Sequence, residues 1–126
     1  MRDFIVRFTH APWVQEAHLK AFEMEKEAGG KIPYSSFLPE DITKWRESHY
    51  SYVLGRVSEG KIFCAGPTAD YSWGVFIYTA DSLEEAERLY TEDPFFKGGI
   101  FADDYEIKEM HHLVTVEGVI RSDHSN

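Results

Sequence analysis

Two residues of this sequence, His49 and Asp93, are of the types that carry general-base chemistry. Asp93 lies at the end of a predicted helix, where the helix dipole disfavours a carboxylate unless a cation is near. Pro94 follows Asp93 and ends that helix, because the residue before a proline avoids the helical conformation. We therefore expect Asp93 to need a partner, and His49 is our candidate.

An imidazole bonded to a carboxylate is a suitable base near neutral pH. The carboxylate fixes the tautomer of the ring and stabilises the imidazolium that forms when the other nitrogen accepts a proton. The pair suits removal of a proton from an acidic hydroxyl or C–H group, followed by loss of a leaving group or a shift of a double bond, with no cofactor and no metal. The structural alternative is that His49 is a hydrogen-bonded interior histidine and that Asp93 caps backbone N–H groups before Pro94.

The elements that must position this pair can be read from hydrophobic periodicity. Strands are predicted at residues 4–8, 62–65, 73–79 and 105–110, with a possible continuation at 113–116. Helices are predicted at residues 12–28, with an apolar stripe of Trp13, Ala17, Ala21, Met24 and Ala28, and at 39–60, with Ile42, Trp45, His49, Tyr52, Val53 and Val57 on one face. A capping box, Ser82 to Glu85, starts a third helix with inner residues Leu83, Ala86, Leu89 and Tyr90.

This order predicts an α+β, ferredoxin-like βαββαβ fold, an antiparallel sheet with helices on one face. Residues 1–120 form a single domain in this interpretation, residues 31–38 are a loop, and residues 121–126 are a frayed tail. Apolar strand residues point to both faces of the sheet, so we expect a second copy of the chain to cover the open face as a homodimer.

Composition excludes several classes of partner. The formal net charge is −9 and no basic cluster interrupts it, so we expect no nucleic-acid partner and no anionic membrane surface. No apolar run reaches the roughly 18 residues of a membrane span, and the start of the chain is typical of a strand, which predicts a cytoplasmic protein. The single cysteine, Cys64, excludes an internal disulfide and is expected to be a small buried residue.

Metal binding has little support in the residue spacing. His111 and His112 are adjacent on a predicted strand, so their side chains should point to opposite faces. With His10 and His124 they allow only an opportunistic site. Gly66 and Pro67, which close the second strand, and the aromatic residues Tyr71, Trp73, Phe95 and Phe96 are the candidate substrate-binding residues, although aromatics in a small protein more often serve packing.

From His49 to about Met110 the sequence resembles the YciI-like (YCII-related) family of the dimeric α/β-barrel superfamily. The motifs that carry the resemblance are His49 eleven residues before Gly60, Ala65-Gly66-Pro67, Ser82-Leu83-Glu84-Glu85-Ala86, and Asp93-Pro94-Phe95. His18 also lies eleven residues before a glycine, Gly29, but only Gly60 leads into the Ala-Gly-Pro segment of the family pattern, so we favour His49.

The resemblance implies that His49 and Asp93 form a catalytic dyad. It also implies, as the family's well-defined activity, dehydrochlorination of a chlorinated hydroxyhydroquinone. Muconolactone isomerases and cofactor-free monooxygenases are relatives at superfamily level. We therefore expect a lyase, dehydrohalogenase or isomerase acting on a hydroxylated aromatic or lactone-like molecule. The alternatives are a binding or accessory domain without turnover and a monooxygenase. Residues 11–38 depart from the family pattern and are interpreted as a helix-loop insertion.

Overall fold

A four-stranded antiparallel sheet with the order β2-β3-β1-β4 forms the centre of the protein. The structure is a computed structural model, and it describes residues 1–121. The strands of this sheet are β1 (Arg2–Phe8), β2 (Ile62–Pro67), β3 (Gly74–Ala80) and β4 (Glu106–Glu109). The α+β, ferredoxin-like fold with an antiparallel sheet, predicted from the order of the elements, is thereby confirmed.

The inner face of the sheet is set by strict alternation along β1. Phe4, Val6 and Phe8 are buried, while Arg7 between them is exposed. Directly paired residues of antiparallel strands share a face, so Phe76 of β3, which pairs with Val6, joins this inner side. The prediction that the Phe-Val-Phe face of strand one turns towards the core is confirmed.

The helices cover this inner face. They are α1 (Pro12–Glu27), α2 (Glu40–Ser58), α3 (Leu83–Thr91) and the four-residue α4 (Pro94–Lys97), with a short 3-10 helix at Tyr34–Phe37 inside the predicted loop. In α2 the buried residues are Ile42, in the first turn, and His49, at the middle of the helix. Gly60 adopts the left-handed conformation that ends a helix, with a φ of 75°.

The start of α3 is fixed by the predicted capping box. The Ser82 side chain accepts a hydrogen bond from the Glu85 backbone N–H at 3.1 Å, and the Glu85 carboxylate accepts one from the Asp81 N–H at 3.1 Å. Both bonds satisfy donors that the first turn of a helix leaves without a partner.

Four predicted core positions are wrong. Trp13 is 43% exposed, and α1 buries Val14, His18 and Ala21 instead, because its inward face is turned by about one residue. Leu83, the first residue of α3, and Val57, in the last turn of α2, are exposed, as is common at helix ends. Cys64 is exposed because β2 is an edge strand whose residues after Ile62 are all exposed.

The described chain ends in a hairpin outside the main sheet. Strands β5 (Leu113–Thr115) and β6 (Gly118–Arg121) pair with each other in a separate two-stranded sheet. Arg121, predicted as the first frayed residue, is the last residue of β6, because it pairs with Leu113. The rest of the predicted tail, residues 122–126, lies outside the described residues. In the part that is described, no helix is long and apolar enough to cross a membrane.

We predict opposite effects for alanine at two glycines. A Cβ at Gly74 would lie 2.5 Å from Phe8 Cζ and 2.9 Å from the Gly66 carbonyl oxygen, whereas a Cβ at Gly55, inside α2, meets nothing within 4 Å. Gly74→Ala should lower the free energy of unfolding by about 1–3 kcal/mol through overpacking. Gly55→Ala should raise it by about 0.5–1 kcal/mol through helix propensity. Urea denaturation of both variants checks this, and equal effects would contradict the described packing.

Candidate active site

His49 and Asp93 are joined by a short hydrogen bond. The distance between His49 Nδ1 and Asp93 Oδ1 is 2.7 Å, and both residues are buried. Because a carboxylate only accepts, His49 Nδ1 carries the proton of this bond, and the lone pair of the ring is left on Nε2. The imidazole is therefore held in the tautomer that a general base requires.

The Asp93 carboxylate also caps α4. Pro94 holds Asp93 in an extended conformation, with φ −61° and ψ 131°, and Oδ1 accepts the Phe95 backbone N–H at 2.8 Å. The same oxygen thus serves the two roles that we had treated as alternatives, the partner of His49 and the helix cap. Its side chain has no exposed surface, so these two N–H donors offset the cost of burying its charge.

The second oxygen of Asp93 lies in a buried region that contains two tyrosine hydroxyls. Within residues 1–121, Asp93 Oδ2 and the hydroxyls of Tyr78 and Tyr90 have no hydrogen-bond partner. Burial, and after it the charge of Asp93, raises the pKa of both tyrosines well above the ordinary range. Both hydroxyls therefore stay protonated beside the carboxylate.

Two phenylalanines fix the plane of the His49 ring. Phe95 stacks on it with the ring centroids 3.9 Å apart and the planes inclined by 6°. Phe101 meets it edge-on at 5.8 Å. Since Phe95 directly follows Pro94, the segment that holds the carboxylate also supplies the stacking partner of the imidazole.

The pair opens onto a cavity of about 160 Å³ between helix and sheet. Three of its lining residues, Ala65, Gly66 and Pro67, come from the end of β2, and the lining as a whole is mostly apolar. The complete lining is His10, His49, Tyr50, Val53, Ala65, Gly66, Pro67, Tyr71, Phe76, Phe95 and Phe101.

A second histidine, His10, faces the same cavity. Its Nδ1 lies 3.1 Å from the backbone oxygen of Tyr71, so Nδ1 is the donor and Nε2 is again the bare acceptor. Burial, and after it the charge of nearby His18, lowers the pKa of His10 to about 4. At neutral pH this ring is therefore an uncharged hydrogen-bond acceptor.

The structure brings four of the six predicted substrate-binding residues to the cavity. Gly66, Pro67, Tyr71 and Phe95 line it. Trp73 does not, because its ring lies beneath the guanidinium of Arg7, 4.7 Å away, and Arg7 belongs to the outer face of the sheet.

Phe96 is also absent from the cavity lining. It lies one position beyond Phe95 and turns towards Tyr90 and Tyr105, at centroid distances of 5.3 and 5.9 Å. Of the two adjacent phenylalanines that the sequence predicted, only Phe95 therefore lines the cavity.

Six residues of the cavity lining were not among the predicted site residues, namely Tyr50, Val53, Ala65, Phe76, His10 and Phe101. Of these, His10 and Phe101 lie outside the named strands and helices. They form an isolated antiparallel bridge with each other just beyond β1. One signal was present in the sequence, since His10 lies two residues after the apolar Phe8 and so keeps the alternation of the buried face. Phe101 gave no comparable signal, because its position depends on the turn that follows α4.

The expected geometry of His111 and His112 is wrong. Neither residue lies in a strand, because β4 ends at Glu109, and their rings lie only 5.2 Å apart. Residues 1–121 contain no group of three or more histidine, cysteine, aspartate or glutamate side chains arranged to hold a metal ion.

A ferredoxin-like α+β fold with a buried histidine–aspartate pair facing a small apolar cavity thus defines the class of this protein. The model of the YCII-related domain matches residues 14–111, and the chain belongs to this family. The matched region begins within α1, and the interpretation of residues 11–38 as an insertion stays a prediction. Comparison with curated protein sequences gives no match.

Solved structures that are similar to this chain include the following two. One is 5-chloro-2-hydroxyhydroquinone dehydrochlorinase (TftG) from Burkholderia phenoliruptrix AC1100 in complex with 2,5-dihydroxybenzoquinone. It is 18% identical, with a TM-score of 0.53 over 88% of this chain and 95% of that chain. The other is protein Atu4242 from Agrobacterium tumefaciens, which is 15% identical with a TM-score of 0.39 over 90% of this chain and 94% of that chain. At these identities the likeness is one of fold.

We predict that His10 makes the protein less stable in mild acid. Its pKa is about 4 in the folded protein and 6.5 in the unfolded chain. Burying the neutral ring costs no stability above pH 6.5. Between pH 6.5 and 4 the unfolded chain binds a proton that the folded protein does not, so the free energy of unfolding falls as the pH is lowered. From pH 7 to pH 5 the free energy of unfolding should fall by about 2 kcal/mol through His10.

Urea denaturation of wild type and His10→Asn at several pH values measures this contribution. The loss of stability from pH 7 to 5 should be about 2 kcal/mol smaller in the variant. Between pH 7 and 8 the two proteins should run parallel, which provides the internal control. An identical acid loss in both proteins would show that His10 is not buried as a neutral ring.

Proposed function

We propose that this protein is a small-molecule lyase, dehydrohalogenase or isomerase that works without a cofactor, with His49 as general base and Asp93 as the residue that orients it. The observation that carries the proposal is the 2.7 Å bond from His49 Nδ1 to Asp93 Oδ1 beside a cavity that His49 lines. The bond leaves Nε2 unprotonated, and a buried carboxylate stands ready to stabilise the imidazolium.

The size and the lining of the cavity favour a single aromatic or lactone-like ring. A cavity of about 150 Å³ lined by apolar side chains holds one benzene molecule, and this one measures about 160 Å³. Phe76, Phe95 and Phe101 offer ring faces and edges, while the bare nitrogen of His10 can accept a hydrogen bond from a ring hydroxyl. The name of the dehydrochlorinase of similar fold makes halogenated hydroxyaromatics reasonable first substrates to test.

His49 and Asp93 account for the movement of protons and charge in the proposed reaction. His49 Nε2 accepts a proton from an O–H or C–H group of the substrate, and the bonding pair of that group forms a new double bond. In an elimination, the leaving group departs with the electron pair that held it to carbon. In an isomerisation, the imidazolium returns the proton to a different carbon. Asp93 carries the compensating negative charge in both cases.

We predict that His49→Gln and Asp93→Asn each lower kcat by about 10²- to 10⁴-fold. In Asp93→Asn the amide oxygen can still accept the N–H groups of His49 and Phe95, so the fold is kept, but the charge that stabilises the imidazolium is lost. Halide release and ultraviolet absorbance, followed with halogenated hydroxyaromatics and lactones, measure turnover. His112→Gln, an exposed histidine outside the cavity, is the matched control and should keep wild-type activity.

Measurements of ligand binding distinguish the proposed enzyme from a binding or accessory domain without turnover. A ligand that binds wild type and His49→Gln equally well, but is converted only by wild type, supports the enzyme. Ligand binding to wild type with no product from any compound of the panel would favour a binding or accessory domain.

We also propose that two copies associate through the outer face of the sheet. The support is an apolar row across this face, in which Ile5 pairs with Ile77 and Ile77 pairs with Cys64. The two isoleucines are half-buried and Cys64 is exposed. Val75 is on the same face, and all helices lie on the other. Such a face is covered most simply by a second copy of itself.

We predict that Ile77→Lys converts a dimer into a monomer, because the interface would then bury two unpaired ammonium groups. Size-exclusion chromatography with light scattering measures the mass, and circular dichroism verifies the fold. Leu54→Lys, at a position on α2 that is 66% exposed, is the matched control and should leave the mass unchanged. A wild-type mass of one chain would refute the proposed association.

A further inference from the structure

A second, smaller compartment adjoins the cavity of His49 and has no part in the proton transfer. It measures about 30 Å³ and shares four lining residues with the cavity, namely His10, Tyr50, Tyr71 and Phe95. Its remaining walls are His18, Tyr34, Ile42, Arg46 and Ile100. The compartment therefore lies between α2 and the segment formed by α1 and the 3-10 helix.

Arg46 gives this compartment its charge. It is half-buried, and among the described residues it makes no ion pair, although the chain contains 22 aspartate and glutamate residues. Neither the cavity nor the compartment has a carboxylate in its lining. The guanidinium of Arg46 lies 5.6 Å from the centroid of the Tyr50 ring. A guanidinium cannot lose its charge and binds planar anions through two parallel N–H groups, so an arginine without an ion pair here favours an anionic ligand.

Two tyrosine hydroxyls add neutral donors. The hydroxyl oxygens of Tyr34 and Tyr71 are 3.2 Å apart, so one donates to the other and the second keeps a free proton. Burial raises the pKa of Tyr71 above the ordinary range. The hydrogen bond to Tyr34 and the charge of Tyr34 raise this pKa as well. The Tyr71 hydroxyl therefore remains a donor at neutral pH.

Tyr71 also has a strained backbone. Its φ of 58° is the one positive value at a non-glycine residue within residues 1–121. Such a conformation costs about 1–3 kcal/mol and persists only where the surroundings fix it. Here the ring stacks on His18 at 3.9 Å and the carbonyl accepts the His10 N–H. These contacts hold Tyr71 in place where the cavity and the compartment meet.

We propose that the ligand is an aromatic ring that bears a carboxylate, with the ring beside His49 and the carboxylate in the compartment on Arg46 and the Tyr34–Tyr71 pair. This inference rests on the proposed function for the position of the ring. Residues three apart on a helix have Cβ atoms about 5–6 Å apart. The side chains of Arg46 and His49 can therefore contact two different substituents of one ring. A volume of about 30 Å³ suits a planar carboxylate better than a phosphate.

Calorimetry with two matched probes tests the proposal. The probes are 2,5-dihydroxybenzoate and hydroquinone, which differ by the carboxylate, and the proteins are His49→Gln and its double variants, so that turnover does not interfere. His49→Gln should bind the carboxylate about 10- to 100-fold more tightly than hydroquinone, since hydrogen bonds to charged groups contribute this much. Adding Arg46→Gln should remove the preference, and adding Arg46→Lys should retain part of it.

Arg7→Gln is the matched control, because Arg7 lies over Trp73 on the outer face of the sheet. It should keep the preference in full. Equal affinity for the two probes, a preference that survives Arg46→Gln, or no binding of 2,5-dihydroxybenzoate at millimolar concentration would each overturn the inference. The carboxylate preference can hold in a protein without turnover, and turnover can occur without the preference, so this result and that for His49 as a base are separable.

Discussion

A fully buried carboxylate is the constraint on which the site depends. Asp93 has no exposed surface, and a charge in that position is tolerated only where donors surround it. One donor is the His49 ring on α2 and the other is the Phe95 N–H at the start of α4. The contact between these two helices is therefore held by a charge as well as by apolar packing, and the tautomer of the histidine follows from the same bond.

Much of the fold could be predicted from local pattern. The alternation in β1 and the capping box before α3 describe interactions between residues close in the chain, and both predictions are confirmed. The errors have a common origin in tertiary context. Whether Trp13 or Val14 turns inward depends on how α1 is rotated against the sheet. Cys64 is exposed because, within residues 1–121, no strand pairs with the outer edge of β2. Neither fact is encoded in periodicity.

The histidine–aspartate pair could be predicted from the sequence better than the residues that line the cavity. Asp93 and His49 could be paired because a proline fixes one and a helical face presents the other. The aromatic wall could not be assigned to Phe95 over Phe96, because adjacent residues of a short helix point in different directions that only the packing decides. The role of His10 depends on Tyr71, which is 61 residues away along the chain.

The central position of β1 determines when the sheet can form during synthesis of the protein. The first of the four strands in chain order is central in the sheet, and its residue Phe4 pairs with Tyr78 on one side and Glu109 on the other. Pairings of such long sequence separation form slowly, because the intervening chain must close a long loop first. During synthesis the backbone of β1 stays unpaired on both edges until β3 is made, and on one edge until β4 is made. The sheet, and the cavity that rests on it, is thus completed only after β4 has been synthesised.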